Sequence, residues 1–181
     1  MENTMYLITS GRPSRLPMKL CKQAVRFYGH QLLSENLYHK LTVTISFEKF
    51  NPKINEYAYC EWEFDNHRSK DYVITIDKNL SKRNMLVALA HEMIHVKQYA
   101  KGELKDYLRV NKSKWKGEII DPQEVDYWDQ PWEIEAHGLE SALLCNFALE
   151  EKLWEIFEDF RDPSTKIKNS KIKWKKDRIS E

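Results

Sequence analysis

The chain has 181 residues, 41% of them hydrophobic, with 29 Lys and Arg against 28 Asp and Glu for a formal net charge of +1. This is one ordinary domain with enough apolar residues for a core, and an aromatic share of 12% argues against disorder along its whole length. Balanced charge gives the molecule no general attraction for nucleic acid or membrane surfaces, and no apolar run approaches membrane-spanning length.

In chain order, "SGRPSRLP" (Ser10 to Pro17) reads as a loop or extended arm, because two prolines and a glycine break any regular pattern. From Met18 to about Leu37, apolar residues recur at helical spacing and predict an amphipathic helix. "LTVTISFEKF" (Leu41 to Phe50), "YAYCEWEF" (Tyr57 to Phe64) and "YVITID" (Tyr72 to Asp77) are strands by alternation and β-branched content. The turns "NPKINE" and "DNHRSK" separate them, and the short intervals predict an antiparallel meander. Ser81 is a candidate N-cap for a helix from about Lys82 to Tyr99. Residues from Lys101 to Gln130 form a long connection of uncertain structure. Pro131 opens a helix running through about Phe160. The expected fold class is therefore α+β: a small antiparallel three-stranded sheet packed on an N-terminal helix and two further helices, in one domain over residues 1–162. A basic tail follows over 163–181.

Cys21, Cys60 and Cys145 are odd in number and far apart, with no CxxC pair. That excludes a thiolate zinc ribbon and argues against a disulfide framework; each reads as a small buried residue. The first residues lack a basic region followed by an apolar block, so the expected location is cytoplasmic.

The chemistry concentrates in "ALAHEMIHVKQ" (Ala88 to Gln98). Residues four apart on a helix share a face, so His91 and His95 can present two imidazole nitrogens to one ion, with Glu92 beside them. Zinc suits neutral imidazoles and, with three protein ligands, keeps a position for water. The ion lowers that water's pKa, and Glu92 would accept the proton and pass it to a leaving amine. HExxH alone is short enough to recur by chance. Here, however, Leu86, Leu89, Ala90, Met93 and Ile94 occupy the opposite side, which fits a core helix with a polar face lining a cleft.

A third ligand is sought in "DQPWEIEAHGLESALL" (Asp129 to Leu144), which offers Glu133, Glu135, His137 and Glu140. If Trp132, Ala136, Leu139, Ala142, Leu143 and Phe147 form the buried stripe, Glu135 projects within it. A carboxylate inside an apolar stripe is costly unless paired, and a cation on His91 and His95 would pair it. Glu135 is the preferred ligand, Glu133 the second choice and His137 a lesser one. Glu133, His137 and Glu140 read more simply as a solvated face.

"LAHEMIHVKQ" together with "PWEIEAHGLESALL" resembles the gluzincin branch of zinc metallopeptidases, in which a glutamate ligand preceding an alanine follows HExxH on a second helix. The closest likeness in look is to small HExxH proteins encoded by bacteriophages, with looser similarity to the ImmA/IrrE-like and SprT-like minimal peptidases. The resemblance covers roughly Leu41 to Glu150. It implies a zincin-like fold, a Zn2+ cofactor on His91, His95 and Glu135, Glu92 as general base, and a protein or peptide substrate. For a phage-encoded chain it implies the host-cell cytoplasm or the virion. Three departures stand out. Larger gluzincins often place an aspartate four residues after the glutamate ligand to orient the first histidine, and that position here is Leu139. SprT-like enzymes use a histidine as third ligand, often with a zinc ribbon. The interval between His95 and Glu135 is also longer than in the compact peptidases.

A peptidase also needs an oxyanion stabiliser, for which Tyr127, Tyr99 and His137 are the candidates, Tyr127 first. The tail carries Lys166, Lys168, Lys171, Lys173, Lys175, Lys176 and Arg178 around Trp174. Such a run could track a nucleic-acid backbone with the indole stacked on a base, although a solubilising tail is the simpler reading. Beside the peptidase stand two other functions: a catalytically silent metal-binding phage structural or host-takeover protein, and a nucleic-acid-associated protein using the tail. Glu92 favours the enzyme, because a structural site needs ligands and no base.

Overall fold

The computed structural model describes residues 5–51, 57–62, 70–154 and 156. The basic tail expected over 163–181, the end of the helix expected through about Phe160 and most of the turns between the expected strands lie outside the described residues. Mixed α and β structure is present, as expected, but the strands are not a meander. β1 (Tyr6–Ser10), β2 (Thr42–Glu48), β3 (Ala58–Trp62) and β4 (Asp71–Asp77) form a sheet in the order β1-β2-β4-β3. β1 pairs parallel with β2, and β2 parallel with β4; only β3 runs antiparallel, against β4.

The burial pattern explains the correction. Tyr72, Ile74, Thr75 and Ile76 are all buried, so β4 has both faces covered and belongs inside the sheet rather than at its end. β4 lies between β2 and β3, so β3 pairs with β4 alone among the described residues and stands at the edge. β1 was hidden in the sequence by the breakers that follow it. Gly11 ends that strand with a φ of +70°, and a Cβ there would collide with the Phe47 carbonyl oxygen.

α1 (Met18–Leu32) stops earlier than the periodicity suggests, and a separate short α2 (Glu35–Tyr38) follows. The break folds Tyr38 back so that its ring lies against Gly29 and stacks on His30 at 3.9 Å between centroids. α1 packs on α3 (Lys82–Lys101) and α4 (Pro131–Glu150), with Phe27 and Tyr28 against Phe147 and the Tyr28 hydroxyl donating to the Leu86 carbonyl.

α3 is the central element. Ser81 Oγ caps it by accepting from the Asn84 amide at 3.1 Å. Gly102, at φ +71°, closes it in the left-handed conformation with its amide on Gln98 and Tyr99 carbonyls. Most of α3 between Met85 and Ala100 is buried, including His91, Glu92, His95, Lys97 and Gln98. A helix buried on all sides with five polar groups must satisfy each of them internally.

The connection after Lys101 is structured. β5 (Leu104–Tyr107), β6 (Lys112–Trp115) and β7 (Glu118–Ile120) make a separate antiparallel sheet. Lys116 and Gly117, both at positive φ, form its two-residue β6–β7 turn. Leu104 and Trp115 pack with Trp132 as a second small core, fixing this sheet beside the start of α4. A single 3-10 turn, Tyr127–Asp129, leads into α4, and Pro131 stands in its first turn. Among the described residues no helix is long and apolar enough to cross a membrane.

Candidate metal centre

A cleft of about 730 Å³ runs between α3, α4 and the edge strand β3. His91, Glu92 and His95 form its floor; Ala58, Tyr59 and Cys60 of β3 line one wall. Glu133, His137 and Glu140 of α4 line the other, with Tyr127 and Trp128 at its rim. The helical spacing does what the sequence required. His91 and His95 lie one turn apart with their Nε2 atoms separated by 3.1 Å, and Glu92 beside them is only 4% exposed.

The third group is Glu133. Its Oε2 lies 3.3 Å from His91 Nε2 and its Oε1 3.4 Å from His95 Nε2. A tetrahedral zinc with bonds of about 2.0–2.1 Å holds its ligand atoms about 3.3–3.4 Å apart. The spacings here lie near that figure, at 3.1 Å between the nitrogens and at 3.3 and 3.4 Å from each nitrogen to a different carboxylate oxygen. His91, Glu133 and His137 also bring ligand atoms within 4.8 Å of one another, a group that could hold a metal ion. His137 is the looser member, because the Tyr127 hydroxyl stands between: it donates to Glu133 Oε2 at 2.7 Å and lies 3.4 Å from His137 Nε2.

Each imidazole is held from behind. His91 Nδ1 donates to Glu140 Oε2 at 2.8 Å, and His95 Nδ1 donates to Gln98 Oε1 at 2.8 Å. Both rings therefore turn Nε2 toward Glu133, the arrangement that prepares histidine to bind a metal. Burial works against charge on His91, yet hydrogen bonds with Glu133 and Glu140 outweigh it and push its pKa up to about 10. His95 is raised in the same way, with burial opposed by Glu133 and Glu92. Burial would raise Glu133, but its bonds with His91 and His95 hold it far below the carboxylate range. Glu92 moves up instead, because its burial exceeds the pull of His95 and His91. Three carboxylates thus converge in one cleft. Protons on the imidazoles offset their charge, and a divalent cation on the same nitrogens would do so equally well.

Glu135, the expected third ligand, is turned elsewhere. It takes Lys97 Nζ at 2.8 Å, Lys116 Nζ at 3.0 Å and Gln98 Nε2 at 3.0 Å. These donors outweigh its burial and hold its pKa down at about 2. Glu135 is indeed a carboxylate in need of a cation, but the cations are lysines. The stripe was drawn on the wrong residues: Leu139 is 39% exposed and Ala142 is exposed, whereas Trp132, Glu133, Ala136, Leu143, Leu144, Phe147 and Ala148 are buried. On that stripe Glu133 faces α3, and His137 and Glu140 follow it at four and seven residues along the same face, so the solvated-face reading of Glu133 and Glu140 is also corrected. The orienting group missing at Leu139 is supplied by Glu140.

Tyr127 is placed at the cleft, with its hydroxyl on Glu133. Tyr99, which also lines the cleft, directs its hydroxyl to Asp106 of β5 at 2.8 Å rather than to that group. Gln98 and Lys97 are the functional neighbours that sequence reasoning passed over. Their signal was present: both are polar, and they follow His95 on a helix whose opposite side is apolar. No family model, curated protein or solved structure matches this chain, so its chemistry is argued from this geometry.

Proposed function

We propose that the protein is a zinc-dependent metallopeptidase in which His91, His95 and Glu133 hold the ion and Glu92 is the general base. One observation carries the reading: two imidazole nitrogens and a carboxylate sit 3.1 to 3.4 Å apart, with a buried glutamate next to them that takes no part in holding them. A site that only stores or displays a metal has no use for that glutamate.

When bound, the ion supplies Lewis acidity that acidifies water and polarises a peptide carbonyl. Glu92, kept from easy ionisation by burial, accepts a proton from water and returns it to the departing amine. Glu140 and Gln98 keep both imidazoles presenting Nε2. Tyr127 offers a hydroxyl at the cleft rim, suited to the negative charge that grows on the carbonyl oxygen. The wall opposite α4 is β3, which pairs only with β4 among the described residues. An edge strand offers backbone groups to an extended chain, which favours a peptide over a compact small molecule.

The test combines metal analysis with a proteome-wide cleavage profile of wild type against Glu92→Gln. The expected result is about one zinc per chain in both proteins and cleavage in wild type alone. Identical profiles would leave a metal-binding scaffold that hydrolyses nothing.

A further inference from the structure

Gln98 has no exposed surface, and every polar atom of its side chain is engaged. The carboxamide nitrogen reaches two acceptors, the Trp132 carbonyl oxygen at 2.9 Å and Glu135 Oε2 at 3.0 Å. The carboxamide oxygen faces His95 Nδ1 at 2.8 Å. Turning the amide over would set its oxygen against a carbonyl and a carboxylate and its NH2 against the imidazole. Two acceptors therefore fix the amide, and the amide in turn fixes the ring. His95 must carry hydrogen on Nδ1, which leaves the Nε2 lone pair for a ligand.

We propose that Glu135 is a positioning residue for the metal centre, acting through the Gln98 carboxamide to hold His95 with Nε2 toward the ion. This rests on the metal site of the proposed function. Glu135 is fixed by Lys97 from α3 and by Lys116 from the β6–β7 turn, and Lys97 is anchored further by Glu103 at 2.6 Å. The small sheet thereby reaches the ligand set through Lys116, Glu135, Gln98 and His95 in sequence. Outer partners of this kind contribute about 10–100-fold to metal affinity.

The experiment is a double-substitution cycle on zinc affinity in the full chain, measured by competition with a chromophoric chelator. It uses wild type, Glu135→Ala, Gln98→Met and the pair, and the circular dichroism and Tm of each metal-free protein establish that it is folded. Glu135→Met, close in shape and lacking an acceptor, replaces alanine where that variant unfolds. Each single change is expected to weaken zinc binding about 10–100-fold. The pair should be no weaker than the worse single variant within about threefold, because both act through one hydrogen bond. Losses that multiply, or a Glu135 variant with wild-type affinity, would overturn the positioning role while leaving the metal site standing. A wild type that binds no zinc would remove the metal site and this role together.

Discussion

Glu133 and Glu135 are two residues apart on one helix and have opposite employments. Glu133 has imidazoles and the Tyr127 hydroxyl as neighbours; Glu135 has two ammonium groups and an amide. An ammonium stays charged and cannot be exchanged for a metal, whereas an imidazole gives up its proton to one. Glu133→Ala is therefore expected to leave zinc binding undetectable at equimolar metal. Glu140→Ala, which frees His91 without removing a ligand, should weaken it about 10–100-fold. Chelator competition separates the two, and an unchanged affinity in Glu133→Ala would remove that residue from the ligand set. Tyr127→Phe keeps the ring and loses the donor. If the hydroxyl serves the transition state, kcat falls about 10²–10³-fold with KM and zinc content close to wild type; a drop in zinc content instead would assign Tyr127 to supporting Glu133.

At the scale of elements, α3, α4 and the β6–β7 turn are joined through Lys97, Glu135 and Lys116, and this joint responds to acid. Glu135 is held below the ordinary carboxylate value, at about 2. A depressed folded-state pKa contributes stability above the unfolded value of about 4.3, and that contribution is lost as pH falls through about 2. In urea titrations wild type should exceed Glu135→Gln in stability at pH 6, and the gap should close between about pH 4.3 and 2. A gap independent of pH would mean that shape rather than charge holds the joint.

The same elements show what the sequence could carry. α3 was legible almost to the residue because its Ser81 cap and its apolar positions agree; it ends at Lys101, two residues past the expected Tyr99, where Gly102 closes it. α4 was legible as a helix and misleading as a face. Leu139 and Ala142 are apolar yet exposed, Glu133 is charged yet buried and Glu140 is charged yet mostly covered, so polarity pointed the wrong way at four positions. A functional helix breaks the apolar-in, polar-out pattern where its site lies. Strand order was beyond reach because β2–β4 pairing spans an intervening strand, and nothing local records which strand lies inside. The β5–β7 sheet escaped notice because its strands are only three or four residues long and β6 is half lysine.

For the whole molecule, the site joins the two cores. His91 and His95 come from the helix at the centre of the main core, while Glu133 follows Trp132, which belongs to the smaller core under β5–β7. On the proposed site, a cation shared among them would bind the folded chain and have no equivalent partner in the unfolded one, so it should raise stability by mass action. At free zinc about 1,000 times Kd the gain is about 4 kcal/mol. In a chain of this length that corresponds to a rise in Tm of about 8–16 °C, at about 2–4 °C per kcal/mol. A chelator should reverse the rise in wild type. In Glu133→Ala zinc should produce none. Glu92→Gln should respond as wild type does, because it keeps all three proposed ligands. Calorimetric scans of these three proteins with zinc and with chelator therefore read the ligand set without reference to cleavage. A wild-type Tm indifferent to both would mean that the imidazoles and carboxylates of this cleft balance one another with protons alone.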